Sequence, residues 1–280
     1  MSSSLRRIVL LDLDGTLVNR DHKLTVSEDG VRSVIDGIQA KGTLVGLNSD
    51  TALLPLKLWA QRLGLKGPLI GEKGQVLAVS PAAEPLFDVE VGDYFRQLRQ
   101  RVLLAALEEF PAAFVGAGDN TEFIREGGLV YGVDRGAILI NSHRRCSFSG
   151  YALGSENHKL VNDSAIFDRF CDLVFAIVGN NWGRLDPPDR NPDYGILMLH
   201  DKGASKSIGV RRLVEVLGTD IEYVMIGDTD SDIIQSGYPT RLCAVGQASP
   251  ALQEAADKTG GVIASERFTM GVLEILTRLD

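Results

Sequence analysis

The sequence predicts an α/β protein, a Rossmann-like parallel-sheet core interrupted by an inserted α+β domain. Three observations carry this. Apolar runs of strand length alternate with amphipathic helical stretches at both ends of the chain, the pattern of parallel βαβ units. The alternation lapses in the middle, where short strand-like runs are separated by glycine. Acidic and hydroxyl residues follow directly on apolar runs, and open parallel sheets gather their ligands at the carboxyl ends of strands. At 280 residues, 44% hydrophobic and 24% charged, the chain exceeds one average domain and has the makings of a sizeable core.

The first strand, Ile8 to Leu11, runs into Asp12-Leu13-Asp14-Gly15-Thr16-Leu17. Strand side chains alternate between faces, so Asp12 and Asp14 leave on the same side, close enough to share a cation and to repel each other without one. Asn19 to Leu24 is a polar turn region. Ser27 caps a helix to about Ala40 with Val31, Val34, Ile35 and Ile38 on one face, and Gly42 stops it. Leu44 to Leu47 reads as a buried strand ending in Asn48, Ser49, Asp50 and Thr51. A helix from Leu53 to Leu63 closes at Gly64, and the strand Pro68-Leu69-Ile70 leads to Gly71-Glu72-Lys73-Gly74 and a further apolar piece, Val76 to Val79.

The texture changes near Pro81. Asp93 to Phe110 is a long amphipathic helix, followed by strand-like runs at Ala113 to Val115, Leu129 to Tyr131 and Ala137 to Ile140. A helix from Asp163 to Phe170 precedes an expected strand, Leu173 to Val178, and Gly179 to Asp193 reads as loop. The inserted domain is expected at 83–193 and the core at 1–82 and 194–280. From Tyr194 the first texture resumes with strand Ile196 to Leu199, helix Lys206 to Leu217 and strand Tyr223 to Ile226. Then come Gly227-Asp228-Thr229-Asp230-Ser231-Asp232, a helix starting near Asp232, strand Leu242 to Val245, helix Pro250 to Lys258, strand Val262-Ile263 and helix Phe268 to Leu279.

The second acidic cluster, like the first, ends an apolar strand, and together they offer an all-oxygen site of the kind that holds Mg²⁺ with one or two carboxylates, water and a phosphate. Lys206 opens a helix, where a cation opposes the macrodipole, so a functional reason for it is expected. The neighbouring Lys202 reads as a turn residue.

The segment Asp12-Leu13-Asp14-Gly15-Thr16 at a strand tip resembles the first motif of the haloacid dehalogenase-like phosphohydrolases, and Gly227-Asp228 with Asp232 resembles their fourth, with Ser231 where Asn is usual. Lys206, followed by Ile208, Val210 and Leu213, fits the family lysine. Ser49 fits the family's phosphate-bonding Ser or Thr, with Asn48 as its competitor, while Asp50 and Thr51 stand where the family has Gly and Arg. Ile70-Gly71-Glu72-Lys73-Gly74 is similar to the Glu-Asn-Gly segment of capped members, with Lys73 in place of Asn. The stretch from Asp12 to Ser49 is used up by a turn and a helix, so the insertion lies between Ser49 and Lys206, the arrangement of the C2-capped, Cof-type branch. That branch includes phosphoglycolate and mannosyl-3-phosphoglycerate phosphatases.

The resemblance implies a Mg²⁺-dependent phosphatase of small phosphomonoesters, such as a sugar phosphate, phosphoglycolate or a glycosyl-phosphoglycerate. Asp12 is then the nucleophile and Asp14 the general acid and base; Asp12, Asp14, Asp228 and Asp232 form the metal site; Thr16, Ser49 and Lys206 contact phosphate. A phosphomutase or phosphotransferase using the same aspartate, and a non-catalytic binding protein, stay open as alternatives. His143-Arg144-Arg145, Arg184 and Arg190 are the candidates in the insertion for reading an anionic leaving group.

The net charge of −8 and pI near 5.1 argue against non-specific nucleic-acid or anionic-membrane binding. Cys146, Cys171 and Cys243 are odd in number, without Cys-x-x-Cys spacing, which fits a cytoplasmic setting. The residues before the first strand are too few for a signal segment, and no apolar run reaches about 18 residues. Either a monomer or a homodimer fits. The four histidines show no metal-ligand spacing and are read as structural.

Overall fold

The computed structural model describes residues 5–118, 135–157 and 159–279. It forms two compact units, Met1–Leu86 with Ser205–Asp280, and Phe87–Ala204.

The first unit holds strands β1 (Arg7–Leu11), β2 (Thr43–Asn48), β3 (Leu69–Gly71) and β4 (Val76–Ala78), with helices α1 (Glu28–Ala40) and α2 (Leu53–Leu63) between them. Ser27 accepts a hydrogen bond from Gly30 N at the start of α1, and Val31, Ile35 and Ile38 form its buried stripe. Gly64 ends α2 in the left-handed region, its N–H reaching back to Ala60 and Gln61. Burial of Ile8, Val9, Leu10 and Leu11 in β1 is complete to within 1%. Such a run without alternation marks a strand covered on both faces.

The second unit contains α3 (Val89–Glu109), β5 (Phe114–Gly118), β6 (Ala137–Asn141), β7 (Ser147–Glu156), β8 (Lys159–Asn162), α4 (Ser164–Val178), β9 (Asp189–Asn191) and β10 (Ile196–His200). Its sheet runs β5-β6-β7-β10-β9, with β8 also paired to β7. The chain then returns to the first unit through α5 (Lys206–Leu217), β11 (Glu222–Gly227), β12 (Thr240–Ala244), α6 (Pro250–Lys258) and α7 (Phe268–Leu279).

The sheet of the first unit has the order β12-β11-β1-β2-β3-β4. All its pairs are parallel except β3 with β4. Sequence-adjacent β2 lies on one side of β1 and the late β11 on the other, so the order reverses at the β1–β11 junction, the place where such sheets open a crevice. Asp12 N donates to Ile226 O at 2.9 Å, which carries the β1–β11 pairing one residue past the strand and sets Asp12 beside Gly227-Asp228. Ile8, Leu10, Val210, Leu213, Met225 and Leu242 close the core beneath this junction. Each such side chain contributes roughly 1.5–3 kcal/mol by its removal from water.

Four expectations need correction. The strand Ile196 to Leu199 belongs to the second unit, where β10 pairs antiparallel with β7, so the return to the core falls at Ser205 and not at Tyr194. An apolar run announces a strand but not its sheet, and its partner β7 is disguised by Ser147, Ser149, Gly150, Gly154 and Ser155. Gly150 is there because a Cβ would lie 2.6 Å from the Phe170 ring. The expected strand Leu173 to Val178 is the second half of α4, whose buried face is Phe167, Phe170, Cys171, Val174 and Val178. A short apolar run cannot separate a buried helix from a strand by periodicity alone. The helix expected from Asp232 is one 3₁₀ turn, Asp230–Asp232, after which Ser236-Gly237-Tyr238-Pro239 keeps the chain irregular. Val262-Ile263 makes only a single bridge, Ala244 with Ile263. The expected strand at Leu129 to Tyr131 lies outside the described residues. Among the described residues no helix is long and apolar enough to cross a membrane.

Candidate active site

The turn after β1 is built around Gly15, at φ +82°. Leu17 N and Val18 N return to the carbonyls of Asp12 and Leu13, folding the chain back over the strand end. A side chain at Gly15 would be strained in this conformation and would also collide with Asp228, whose Oδ2 lies 2.5 Å from the ideal Cβ position. Thr16 is fully buried, and its hydroxyl donates to Asp228 Oδ1 at 2.9 Å while lying 3.4 Å from Asp12 Oδ2. Thr16, expected to contact phosphate, braces the two carboxylates.

The turn after β11 fixes Asp232 just as tightly. Its Oδ2 accepts the N–H groups of Asp228 and Thr229, both at 3.0 Å, in a reciprocal capping box with Thr229. Gly227 leaves the room, since a Cβ there would sit 2.2 Å from the Asp232 carboxyl carbon. The other oxygen, Oδ1, takes Lys206 Nζ at 2.6 Å. Ser205 caps α5 so that Lys206 occupies its first position, and the side chain runs inward to a second ion pair with Asp12 Oδ1 at 2.7 Å. Lys206 is 6% exposed, Asp12 5% and Asp232 0%.

This arrangement has more negative than positive charge. Burial pulls the Lys206 ammonium down, but Asp12 and Asp232 reverse that and hold it above its ordinary value. For Asp12, burial outweighs the help of Lys206, and with Asp232 adding its repulsion the carboxyl is pushed up to about 8. Asp228 is raised too, chiefly by burial. A lysine bonded to two carboxylates keeps its proton, so the unmet charge falls on Asp12. Ligand oxygens of Asp12, Asp228 and Asp232 lie within 4.8 Å of one another. An all-carboxylate set with an uncompensated charge fits a small hard divalent cation such as Mg²⁺. Asp232 has its two oxygens hydrogen-bonded to Lys206 and to the backbone, which makes it the most firmly held of the three carboxylates.

Asp14 is different in kind. Its carboxyl is 45% exposed and held at both oxygens, by His22 Nδ1 at 2.7 Å and by the Thr51 hydroxyl at 3.1 Å. His22, read from the sequence as structural, is therefore part of the site, and Thr51, read as a departure from a family pattern, is its counterpart. Neither has a sequence signal of its own, because both reach Asp14 across loops. Ser49 is buried and accepts the N–H of Thr51 at 3.1 Å, which leaves its own hydroxyl proton to donate. Asn48 is fully buried with its amide directed to the Lys206 carbonyl and the Met225 sulfur. Glu72, Lys73 and Gly74 are successive left-handed residues, and Lys73 Nζ lies 3.9 Å from Asp50.

The cationic candidates of the second unit are committed within it. Arg144 is buried and donates to Ser147 Oγ at 3.0 Å, while Arg145 stacks over Phe87. Arg184 pairs with Asp201 and lies 4.1 Å over the Tyr94 ring, and Arg190 pairs with Asp168 at 2.6 Å.

No protein-family model matches the chain, and no curated protein sequence matches it. Solved structures do. A haloacid dehalogenase-like hydrolase from Bacteroides thetaiotaomicron is similar at a TM-score of 0.61 and 17% identity, over 98% of this chain and 100% of that one. A protein from Thermotoga maritima is similar at 0.62 and 16%, over 98% of both chains. The sucrose-phosphatase of Synechocystis sp. PCC6803, whose structure holds sucrose and phosphate, is similar at 0.50 and 14%, again over 98% of both.

Proposed function

We propose that this chain, which has the fold of the haloacid dehalogenase-like hydrolases, is a Mg²⁺-dependent phosphatase of small phosphomonoesters working through an aspartyl-phosphate. The observation that carries the reading is the buried lysine shared between Asp12 and Asp232, with Asp228 beside them and the half-exposed Asp14 two residues beyond Asp12 in the turn that follows the strand. A binding module has no use for an acid next to a buried nucleophile.

In this reading Asp12 attacks phosphorus and the ester P–O bond breaks, while Asp14 hands its proton to the departing oxygen. Asp14, now ionised, takes a proton from water as that water attacks phosphorus, and Asp12 and inorganic phosphate are released. Lys206 and the Ser49 hydroxyl stabilise charge on the transferring oxygens, and Thr16 keeps Asp228 and Asp12 in register. Mg²⁺ would be held by Asp12, the backbone carbonyl of Asp14 and Asp228, with Asp232 fixing Lys206, and it would offset the repulsion between a carboxylate and an anionic phosphate. We assign choice of substrate to the second unit as a C2-type cap, because it is inserted between the segment carrying Ser49 and Lys206. The sucrose-phosphatase of similar fold supports sugar phosphates as the first class to try.

The test is phosphate release from a panel of sugar phosphates, phosphoglycolate and glycosyl-phosphoglycerates, with Mg²⁺ and with chelator. Mg²⁺-dependent release by the wild type and none by Asp12→Asn is the expected result. Phosphate moved to a sugar acceptor without release would turn the reading to a phosphotransferase or mutase. Mg²⁺ binding without turnover of any ester would overturn catalysis altogether.

A further inference from the structure

We infer that His22 is a positioning residue for Asp14, holding the general acid at the angle from which it protonates the leaving oxygen; the inference rests on the phosphatase reading above. Asp14 is the least supported carboxylate of the site by burial, since Asp12 and Asp232 are packed while it is 45% exposed. A half-exposed carboxyl left alone samples several rotamers, and proton transfer demands one. His22 Nδ1 at 2.7 Å from Oδ1 and the Thr51 hydroxyl at 3.1 Å from Oδ2 grip it from opposite ends.

The turn that presents His22 is purpose-built from local bonds. Asn19 accepts the N–H groups of Asp21 and Lys23 on its side chain, at 3.0 and 2.9 Å, and its own N–H reaches the Lys23 carbonyl. His22 N returns to Asn19 O at 2.9 Å, and His22 itself takes φ +55°. A left-handed non-glycine residue costs about 1–2 kcal/mol, and glycine or asparagine would close the same turn more cheaply. The imidazole is 45% exposed and so contributes little to the core. What the costly conformation achieves is the contact with Asp14. Nδ1 of an imidazole is a donor in one tautomer and an acceptor in the other, so the contact can be made to Asp14 as carboxylate or as carboxylic acid.

Protonation of the leaving oxygen matters for an alkyl ester and hardly at all for an aryl ester whose anion departs unaided. The experiment compares wild type, His22→Ala and His22→Asn on p-nitrophenyl phosphate and on the primary-alkyl sugar phosphate that the wild type hydrolyses fastest. For His22→Ala the loss in kcat/KM, which reports the step in which the leaving group departs, should be ~10-fold or more greater on the sugar phosphate than on the aryl ester, a fraction of the 10²–10⁴ that general acid catalysis supplies. His22→Asn, which tolerates the left-handed turn and keeps a hydrogen-bonding side chain, should recover most of that difference. Equal losses on both esters, or no loss on the sugar phosphate, would overturn the inference while leaving the phosphatase reading intact. A wild-type chain that hydrolyses neither ester would overturn both.

Discussion

Lys206 Nζ stands 2.7 Å from Asp12 Oδ1 with both side chains more than nine-tenths buried, although the two residues come from opposite ends of the chain. Lys206 Nζ also pairs with Asp232 Oδ1, at 2.6 Å. Its removal leaves two buried carboxylates facing each other. Lys206→Met should cost about 3–5 kcal/mol in chemical denaturation of the metal-free chain, the usual result of breaking a buried ion pair from one side. Adding Asp232→Asn should return part of that loss. Equal stability of wild type and Lys206→Met would show that the buried charges are not coupled as described.

The raised Asp12 and Asp228 carboxyls make stability fall with pH. Between the ordinary value of 3.8 and about 8, folded Asp12 binds more proton than the unfolded chain does, so the unfolding free energy decreases as pH rises across that window. Asp228 adds to the trend in the same direction. In chelator the thermal midpoint should therefore drop from mildly acidic to mildly alkaline pH. Mg²⁺ should raise it most at the alkaline end, because the cation needs the deprotonated ligands. A Mg²⁺ effect that is largest at acidic pH would contradict this.

Asp12 and Asp14 should respond differently to the same substitution. Asp12→Asn should abolish turnover yet raise the metal-free thermal midpoint, since a charge that burial disfavours is gone. Asp14→Asn should lower kcat by roughly 10²–10⁴-fold with little change in midpoint, because its side chain is half exposed. Parallel kinetics and thermal melts on the two variants decide it.

Gly15→Ala tests the glycine turn. The left-handed backbone alone should cost about 1–2 kcal/mol, and the methyl must displace Asp228 from a spacing of 2.5 Å. Weaker Mg²⁺ binding by calorimetry, beyond what the stability loss explains, is expected. Unchanged affinity would show that Asp228 is not held in place by this turn.

Much of the site was legible in the chain because its residues announce themselves locally. Two acidic clusters each end an apolar run, and a lysine stands at a helix start where electrostatics disfavours it. The βαβ rhythm of the first unit is equally local. Long-range choices were not legible. β10 looks like any apolar strand, and only its pairing with the glycine- and serine-rich β7 puts it in the second sheet. The second half of α4 carries the composition of a strand and is helical because its buried face fits at helical spacing.

The sequence by itself determined which functional groups exist and which strand tips carry them: Asp12, Asp14 and Thr16 after β1, Ser49 after β2, Asp228 and Asp232 after β11, and Lys206 at the head of α5. Tertiary structure decided what each can do. Burial and pairing made Asp12 the strained carboxylate, bound both oxygens of Asp232 and turned Thr16 to Asp228. It left Asp14 exposed between His22 and Thr51. The reason is that a residue's type and local period are written in the chain, whereas its charge state and its partners depend on what lies beside it once distant strands are paired.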